Sequence, residues 1–149
     1  MTLADITHVA QQRLESVSGM GQVYDTIRNS NSDKSFRELF TKDAKINAWL
    51  ITRDGVASQD GQLIRTSTDT HNIVIIGYYG FEDGVSEPII QGMADAIRPL
   101  FNSMSARRFA PGIEWSGPMQ MPSIYLVNFA NRLCHIVRCV WPVTVINEE

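Results

Sequence analysis

The hydrophobic positions near the N-terminus repeat with the period of a helix. Apolar side chains recur every three or four residues and lie on one stripe, which comprises Leu3, Ile6, Ala10, Leu14 and Val17. Ser35 and Glu38 then match a capping box around Phe36. The pattern therefore predicts a helix over residues 3–17 and a short second helix after Ser35.

A third helical pattern begins at Ser86, where Glu87 and Pro88 supply the acidic residue and the proline that are typical of a first turn. One apolar stripe then continues through Ile90, Met93, Ala94, Ile97 and Phe101. Proline inside a helix removes a hydrogen bond, so Pro99 is expected to kink or weaken the last turn. Residues 102–117 show no clean period and are predicted to form a connector.

The period changes to that of a strand from Lys45 to Arg53, where apolar side chains alternate between two faces. Residues 54–61 are small and polar with glycines near both ends, and residues 62–81 are extended in character. We therefore predict a long β-hairpin with a flexible tip. Residues 73–76 are apolar on both faces, so one side should meet helices and the other a second sheet or subunit.

A second hairpin is predicted near the C-terminus. Residues 121–129 have strand character, Ala130-Asn131 suits a tight turn, and residues 133–146 carry one apolar face. Pro142 cannot donate to a ladder, so this strand should lie at an edge or be bulged. The predicted fold is α+β, one domain over residues 1–149, with a mostly antiparallel sheet built from two β-hairpins and helices packed on one face.

Composition narrows the class of function. The chain has 149 residues, 44% of them hydrophobic and 19% charged, as in a globular protein with a packed core. Its net charge of −3 argues against a protein that grips nucleic acid, because phosphate binding depends on clustered lysine and arginine. The N-terminus lacks the pattern of a signal peptide, and no segment is apolar over the length of a membrane span, so no membrane association is expected.

Candidate chemistry is sparse in the sequence. Cys134 and Cys139 lie five apart in one strand, so they should point to opposite faces as buried, reduced thiols. His135 lies on the apolar face of the same strand, and its spacing from the cysteines does not match a zinc site. We expect a structural, hydrogen-bonded histidine. No catalytic, cofactor-binding or metal-binding residue is predicted, and the chain is predicted not to be an enzyme.

Three segments resemble a family of small phage proteins encoded among the tail genes and related to the lambdoid tail terminator. They are Ile46-Asn-Ala-Trp-Leu-Ile-Thr-Arg53, His71-Asn-Ile-Val-Ile-Ile-Gly-Tyr-Tyr-Gly-Phe81 and Leu133-Cys-His-Ile-Val-Arg-Cys139. The resemblance extends to the order of elements along most of the chain. It rests on patterned apolar segments, and no functional residue can be transferred through it.

The resemblance implies a structural virion protein, assembled in the host cytoplasm, that forms a hexameric ring. Such a ring caps the tail tube and joins it to the head connector or stopper protein, and double-stranded DNA passes through the lumen without specific binding. An acidic subunit suits this lumen, because a wall without clustered positive charge lets a polyanion slide.

A ring would also cover the exposed strand edges that the hairpins leave. The predicted subunit-interface residues are Trp49, Ile51, Leu63 and Ile64. The hairpin tip is predicted to be a flexible docking loop for the tube or connector, comprising Asp54, Gly55, Gln59, Asp60 and Gly61.

Three alternatives stay open at this point. Another neck subunit, such as a head-closing or connector-completion protein, also forms rings from small mixed domains. A small enzyme or ligand-binding domain would use a pocket between the sheet and the helix of residues 89–101. A soluble adaptor would act as a monomer or dimer.

Overall fold

A computed structural model describes residues 2–28, 33–43, 45–60, 66–101, 113–129 and 131–148. Its helices are α1 (Leu3–Glu15), α2 (Asp33–Phe40) and α3 (Ser86–Ile97), and a 3-10 turn over Arg98–Leu100 follows α3. Its strands are β1 (Gln22–Tyr24), β2 (Thr41–Lys42), β3 (Lys45–Asp60), β4 (Thr66–Gly80), β5 (Ile113–Ser116), β6 (Gln120–Phe129) and β7 (Arg132–Glu148).

The strands of the described residues form one seven-stranded sheet with the order β1-β3-β4-β7-β5. In addition, β2 pairs with the start of β3, and β6 pairs with the first half of β7. Only β1 and β3 are parallel, and the other pairs are antiparallel. The predicted α+β class and the mostly antiparallel sheet built around two hairpins, β3–β4 and β6–β7, are confirmed.

Helices cover both faces of this sheet. The face under α1 and α3, called here the α1/α3 face, carries Trp49, Ile51, Ile73, Ile75 and Trp141. On the opposite face, called the α2 face, Phe36 and Phe40 of α2 pack against Ala48, Leu50 and Cys134. The prediction of helices on one face therefore holds for α1 and α3 but is wrong for α2.

This arrangement also corrects the expectation that a sister subunit covers the second apolar side of residues 73–76. The aromatic rings of α2 cluster with Tyr78 and Phe129 on that side, with centroids 6.0 Å from Phe40 to Tyr78 and 5.1 Å from Phe40 to Phe129. Val74 is buried there within the single chain. Burial on two faces is thus satisfied without a partner, so it does not indicate assembly.

The core fixes the register of the central strands through one glycine. Trp49 is fully buried and lies opposite Gly77, and a Cβ on that glycine would come within 2.4 Å of the indole ring. The indole nitrogen donates to Asn47 Oδ1 at 3.2 Å, and the Asn47 amide donates to the carbonyl of Gly19 at 2.9 Å. The space above Gly77 therefore positions Trp49 and, through Asn47, the loop after α1.

Helix boundaries follow local chemistry. Thr2 and Asp5 form a reciprocal capping box at the start of α1, which ends at Glu15, two residues before the predicted end. At its C-terminal end, α3 changes to the 3-10 turn at Arg98, where Pro99 removes a hydrogen-bond donor. The predicted weakening of this last turn is confirmed.

Several strand predictions need correction. β3 runs on to Asp60, paired with β4 down to Asp60 and Ser67, so residues 54–60 are strand and not loop. Residues 113–116, predicted as connector, form β5, and residues 102–112 lie outside the described part. The sequence reading also missed the short strands β1 and β2.

Pro142 lies in the interior of the sheet, and β7 pairs with β4 there without a register shift, so the prediction of an edge position or a bulge at Pro142 is wrong. Pro142 pairs with Asn72 of β4, and its carbonyl accepts a hydrogen bond from Gly117 at 3.0 Å on the other side. A strand residue directs its N–H and C=O to the same side. The missing donor therefore points to the gap between the end of β5 at Ser116 and the start of β6 at Gln120, so no ladder bond is lost.

Candidate functional site: the two edges of the sheet

Among the described residues, the outer side of β6 is an open strand edge. All ten residues from Gln120 to Phe129 are uncharged. Among the described strands, β7 is the one that pairs with β6. Tyr125 and Leu126 are about half exposed and point to opposite faces, because Tyr125 lies opposite Ile136 and Leu126 lies opposite His135. Edge strands are usually protected by charge, proline or bulges, and here Pro122 and a register shift both lie between Gln120 and Ser123, which leaves residues 124–129 without such protection.

A groove runs beside this edge, between α3 and β6 on the α1/α3 face. One part, of about 260 Å³, is lined by Glu87, Gln91, Leu126 and His135 among others. A second part, of about 290 Å³, shares Gln91 with the first. The exposed side of Leu126 therefore lines this groove, which has both apolar and polar walls.

The second open edge belongs to β3. β1 pairs with β3 only up to Leu50, so in the described part of the chain residues 51–60 pair on one side, with β4. A register shift between Arg53 and Gly55 interrupts this edge, which also carries Asp54. Compared with β6, this edge is charged and irregular, as is common for protected edges.

A cavity of about 420 Å³ opens beside the β3 edge on the α1/α3 face. Leu3 and Ile27 give it apolar walls, the fully buried Ile51 lies behind them, and Asp25 and Arg53 both line it. Ile27 is 54% exposed, although it is a large apolar residue. This cavity is called the β3 socket below.

Two of the predicted interface residues are not available to a partner. Trp49 and Ile51 are fully buried, because both belong to the core cluster that includes residues of α1. Their prediction as interface side chains is wrong, since an alternating strand buries one face even where its backbone lies at an edge. Leu63 and Ile64 lie outside the described residues.

The predicted docking loop is part of a strand for most of its length. Asp54, Gly55 and Gln59 lie in β3, which extends to Asp60, while Gly61 lies outside the described residues. Gly55 and Gln59 lie opposite Asn72 and Thr68 of β4. Polar composition misled the prediction, because a solvent-facing ribbon and a loop have similar sequences.

His135 has the structural role that the sequence predicted. Its Nε2 lies 2.8 Å from Ser86 Oγ, and that hydroxyl also accepts from the backbone N–H of Glu82 at 2.8 Å. Burial lowers the pKa of His135, and the nearby charge of Glu87 opposes this effect. The contact joins the start of α3 to β7.

A serine, a histidine and a carboxylate close together invite comparison with a hydrolase triad, but the geometry does not favour one. Ser86 is 1% exposed, and its hydroxyl is occupied by Glu82 and His135. A nucleophile has to reach a substrate carbon and lie near an oxyanion site. The group instead fastens the N-terminal end of α3.

The thiols and the remaining buried histidine also have structural surroundings. Cys134 and Cys139 are free and buried on opposite faces, as predicted, and burial raises their pKa values to about 11 and about 12. His71 Nδ1 lies 3.3 Å from Arg53 Nη1, and burial, followed by the charge of Arg53, lowers the His71 pKa. Within the described residues, no three His, Cys, Asp or Glu side chains gather as possible metal ligands.

The comparisons with known proteins give no family for this chain. No helix in the described ranges combines the length and apolarity needed to cross a bilayer. No protein-family model matches the sequence, and no curated protein matches it. The resemblance to tail terminators therefore stays a prediction.

Proposed function

We propose that this chain is a structural ring subunit of a phage tail, in the position of a tail terminator that caps the tail tube and joins it to the head connector. The observation that carries the proposal is the pair of open edges on opposite sides of one sheet, β6 and residues 51–60 of β3. Two unlike unpaired strand edges on one subunit favour head-to-tail contacts between copies. Such contacts close into a ring when the rotation that relates neighbouring copies allows it.

The chemistry of the chain is consistent with such a role. The polar groups near the cavities, Ser86, His135 and Arg53, are engaged in contacts that hold elements together. The net charge of −3 favours a lumen through which DNA can slide. The identification as a terminator, within the wider class of ring subunits, rests on the resemblance of the three apolar segments.

The experiment is deletion of the gene in a phage that carries it. A terminator predicts tail tubes of uncontrolled length that do not join heads, and mass spectrometry should find the chain in purified wild-type tails. Tubes of normal length that fail to join heads would identify a head-closing or connector subunit instead. Normal particles without the chain would contradict any virion role.

A further inference from the structure

We infer that two free copies of the chain pair through β6 in an antiparallel, two-fold joint centred on Leu126. The inference goes beyond the proposed ring, because it concerns the subunit before assembly, and only its last consequence rests on the proposed function. The occupant of the β6 edge is a second copy, because the open run of residues 124–128 is complementary to itself in its backbone groups, its limits and its side chains.

The hydrogen bonds of β7 show which backbone groups of β6 are unpaired. The carbonyl of Leu133 accepts from the N–H of Phe81 at 3.0 Å, so Leu133 directs its backbone groups toward β4. Asn128 lies opposite Leu133, and opposed residues of an antiparallel pair either exchange both hydrogen bonds or direct both groups away from each other. The N–H and C=O of Asn128 therefore face the side of β6 on which no described strand lies.

The same outward direction repeats at every second residue of β6. The strand pairs with β7 without a register shift over residues 123–129, so Ile124 and Leu126 direct their backbone groups outward as Asn128 does. Pro122, which has no N–H, limits this open run at one end, and the end of the strand limits it at the other. Leu126 is the middle residue of the run.

A two-fold axis through Leu126, perpendicular to the sheet, gives each of these groups a partner. Leu126 then lies opposite Leu126 of the second copy, and Ile124 lies opposite Asn128, as hydrogen-bonded pairs. A shift of two residues in either direction would bring Pro122 or the end of the strand into the ladder. The backbone therefore favours one register, and the second copy always carries the matching edge.

The side chains also match in this register. The Leu126 side chain, which is 48% exposed on the α1/α3 face, contacts its equivalent across the axis. On the α2 face, Tyr125 is 46% exposed and lies opposite Val127 of the second copy. Opposed residues that exchange no hydrogen bonds approach to about 4.5 Å between Cα atoms, and aromatic and β-branched side chains paired in this way stabilise a sheet. The joint therefore covers apolar side chains on both faces of the edge.

Charge permits this joint but does not strengthen it. The residues of β6 are uncharged, so no like charges meet within the ladder. Glu87 lines the groove beside Leu126, so the joint brings one carboxylate from each copy to the same face. Arg98, in the second part of the groove, is paired with Asp95 at 2.8 Å. We therefore expect repulsion between the two Glu87 carboxylates to weaken the dimer at low salt.

Disulfide trapping tests the register. Ile124→Cys, Leu126→Cys and Asn128→Cys are oxidised singly and in mixtures at high protein concentration, and the native cysteines are buried. Leu126→Cys should cross-link to itself, whereas Ile124→Cys and Asn128→Cys should cross-link to each other in preference to themselves. The control is Ile89→Cys on α3, which is similarly exposed and away from β6. A Leu126→Cys yield no higher than the control, or Asn128→Cys self-dimers as the main product, would overturn the joint.

Amide hydrogen exchange followed by NMR tests the joint in the unaltered chain. The amides of Ile124, Leu126 and Asn128 bond only in the dimer, whereas those of Tyr125 and Val127 bond β7 in both states. A higher protein concentration should therefore slow exchange at the first set far more than at the second. Exchange at the first set that does not depend on concentration would contradict the dimer.

Charge substitutions measure the strength of the joint by sedimentation. Leu126→Lys places two like charges on the axis and should abolish the dimer, whereas Ile89→Lys should retain it, and circular dichroism checks that both fold. Glu87→Gln should tighten the dimer about two- to fivefold at low salt, with a smaller gain at high salt. A dimer that survives Leu126→Lys, is lost in Ile89→Lys or is weakened by Glu87→Gln would contradict the joint.

Failure of the dimer and failure of the proposed function give different results. The dimer leaves the β3 socket uncovered but covers the β6 edge, so in the proposed ring it would hold free subunits back from head-to-tail contacts. A monomeric chain whose deletion still leaves tail length uncontrolled would contradict the dimer and leave the function standing. A dimer with the expected cross-links, from a chain whose deletion leaves particles normal, would support the dimer and contradict the function.

Discussion

The sheet has two parts, called here the base and the arm, which are formed by the same three strands, β3, β4 and β7. They differ in how their two faces are buried. In the base, formed by residues 45–53 of β3, 73–80 of β4 and 132–141 of β7, apolar side chains are buried on both faces. In the arm, formed by residues 54–60, 66–72 and 142–148, Val143 and Val145 are buried on the α1/α3 face. The arm's other face is mostly polar, with Thr70 Oγ1 2.8 Å from Thr144 Oγ1, and the apolar Ile146 on this face is exposed. The base therefore provides the stability, and the arm extends a strand edge beyond it.

The largest expected effect comes from breaking the base at Trp49. Trp49→Ala removes a fully buried indole and leaves Asn47 Oδ1 without its donor, so we expect a loss of about 3–5 kcal/mol in the free energy of unfolding. Urea denaturation measures it. The matched change in the arm is Val56→Ala, which is about half exposed and should stay within about 0.5 kcal/mol. Similar losses from both would contradict the division into base and arm.

The next effect comes from overfilling the same place. Gly77→Ala puts a methyl group against the Trp49 ring and should cost about 1–3 kcal/mol in the free energy of unfolding. In the double variant Gly77→Ala with Trp49→Leu, the clash disappears, so the combined loss should be smaller than the sum of the two single losses. Additive losses in urea denaturation would show that the ring does not determine the need for glycine.

The elements that local patterns predict are those whose two faces differ. α1, α3 and the β6–β7 hairpin follow from stripes and alternation. The arm does not, because Asp54 to Asp60 has the composition of a loop and becomes a strand only through pairing with β4. β1 is too short to have a period, and α2 could not be assigned to a face from its own stripe. The open edges depend on which strands pair, so sequence placed the interface on Trp49 and Ile51, which the fold buries.

The base and the arm each bury one histidine, so both parts should affect how the free energy of unfolding depends on pH. The pKa values of His135 in the base and His71 in the arm are lowered, mainly by burial. In the unfolded chain both titrate near their ordinary value of about 6.5. Their stabilising contribution is therefore present above that pH, declines as the pH falls through it, and is lost once the folded pKa is passed.

We therefore expect the free energy of unfolding to fall between pH 7.5 and pH 5.5. His135→Gln and His71→Gln should each make this decline shallower, because each removes one histidine that protonates more readily in the unfolded state. His8→Gln is the control, since His8 is exposed on α1. Equal slopes in all three variants and the wild type would show that neither buried histidine contributes to the pH dependence.

The smallest expected effect lies where base and arm meet, at the ion pair between Arg138 Nη2 and Asp54 Oδ2, which are 3.7 Å apart. These residues belong to strands on either side of β4, so their side chains cross it near the buried Val74. Both are partly exposed, so Asp54→Asn should cost less than about 1 kcal/mol in unfolding free energy, and less still at high salt. Arg138→Ala should cost more, because it also removes the aliphatic stem of a side chain that is more than half buried. Asp95→Asn, in the exposed pair with Arg98, gives the cost of an ion pair that covers no strand. If Arg138→Ala costs no more than Asp95→Asn, the contact across β4 contributes charge alone, and Val74 is protected by its strand neighbours.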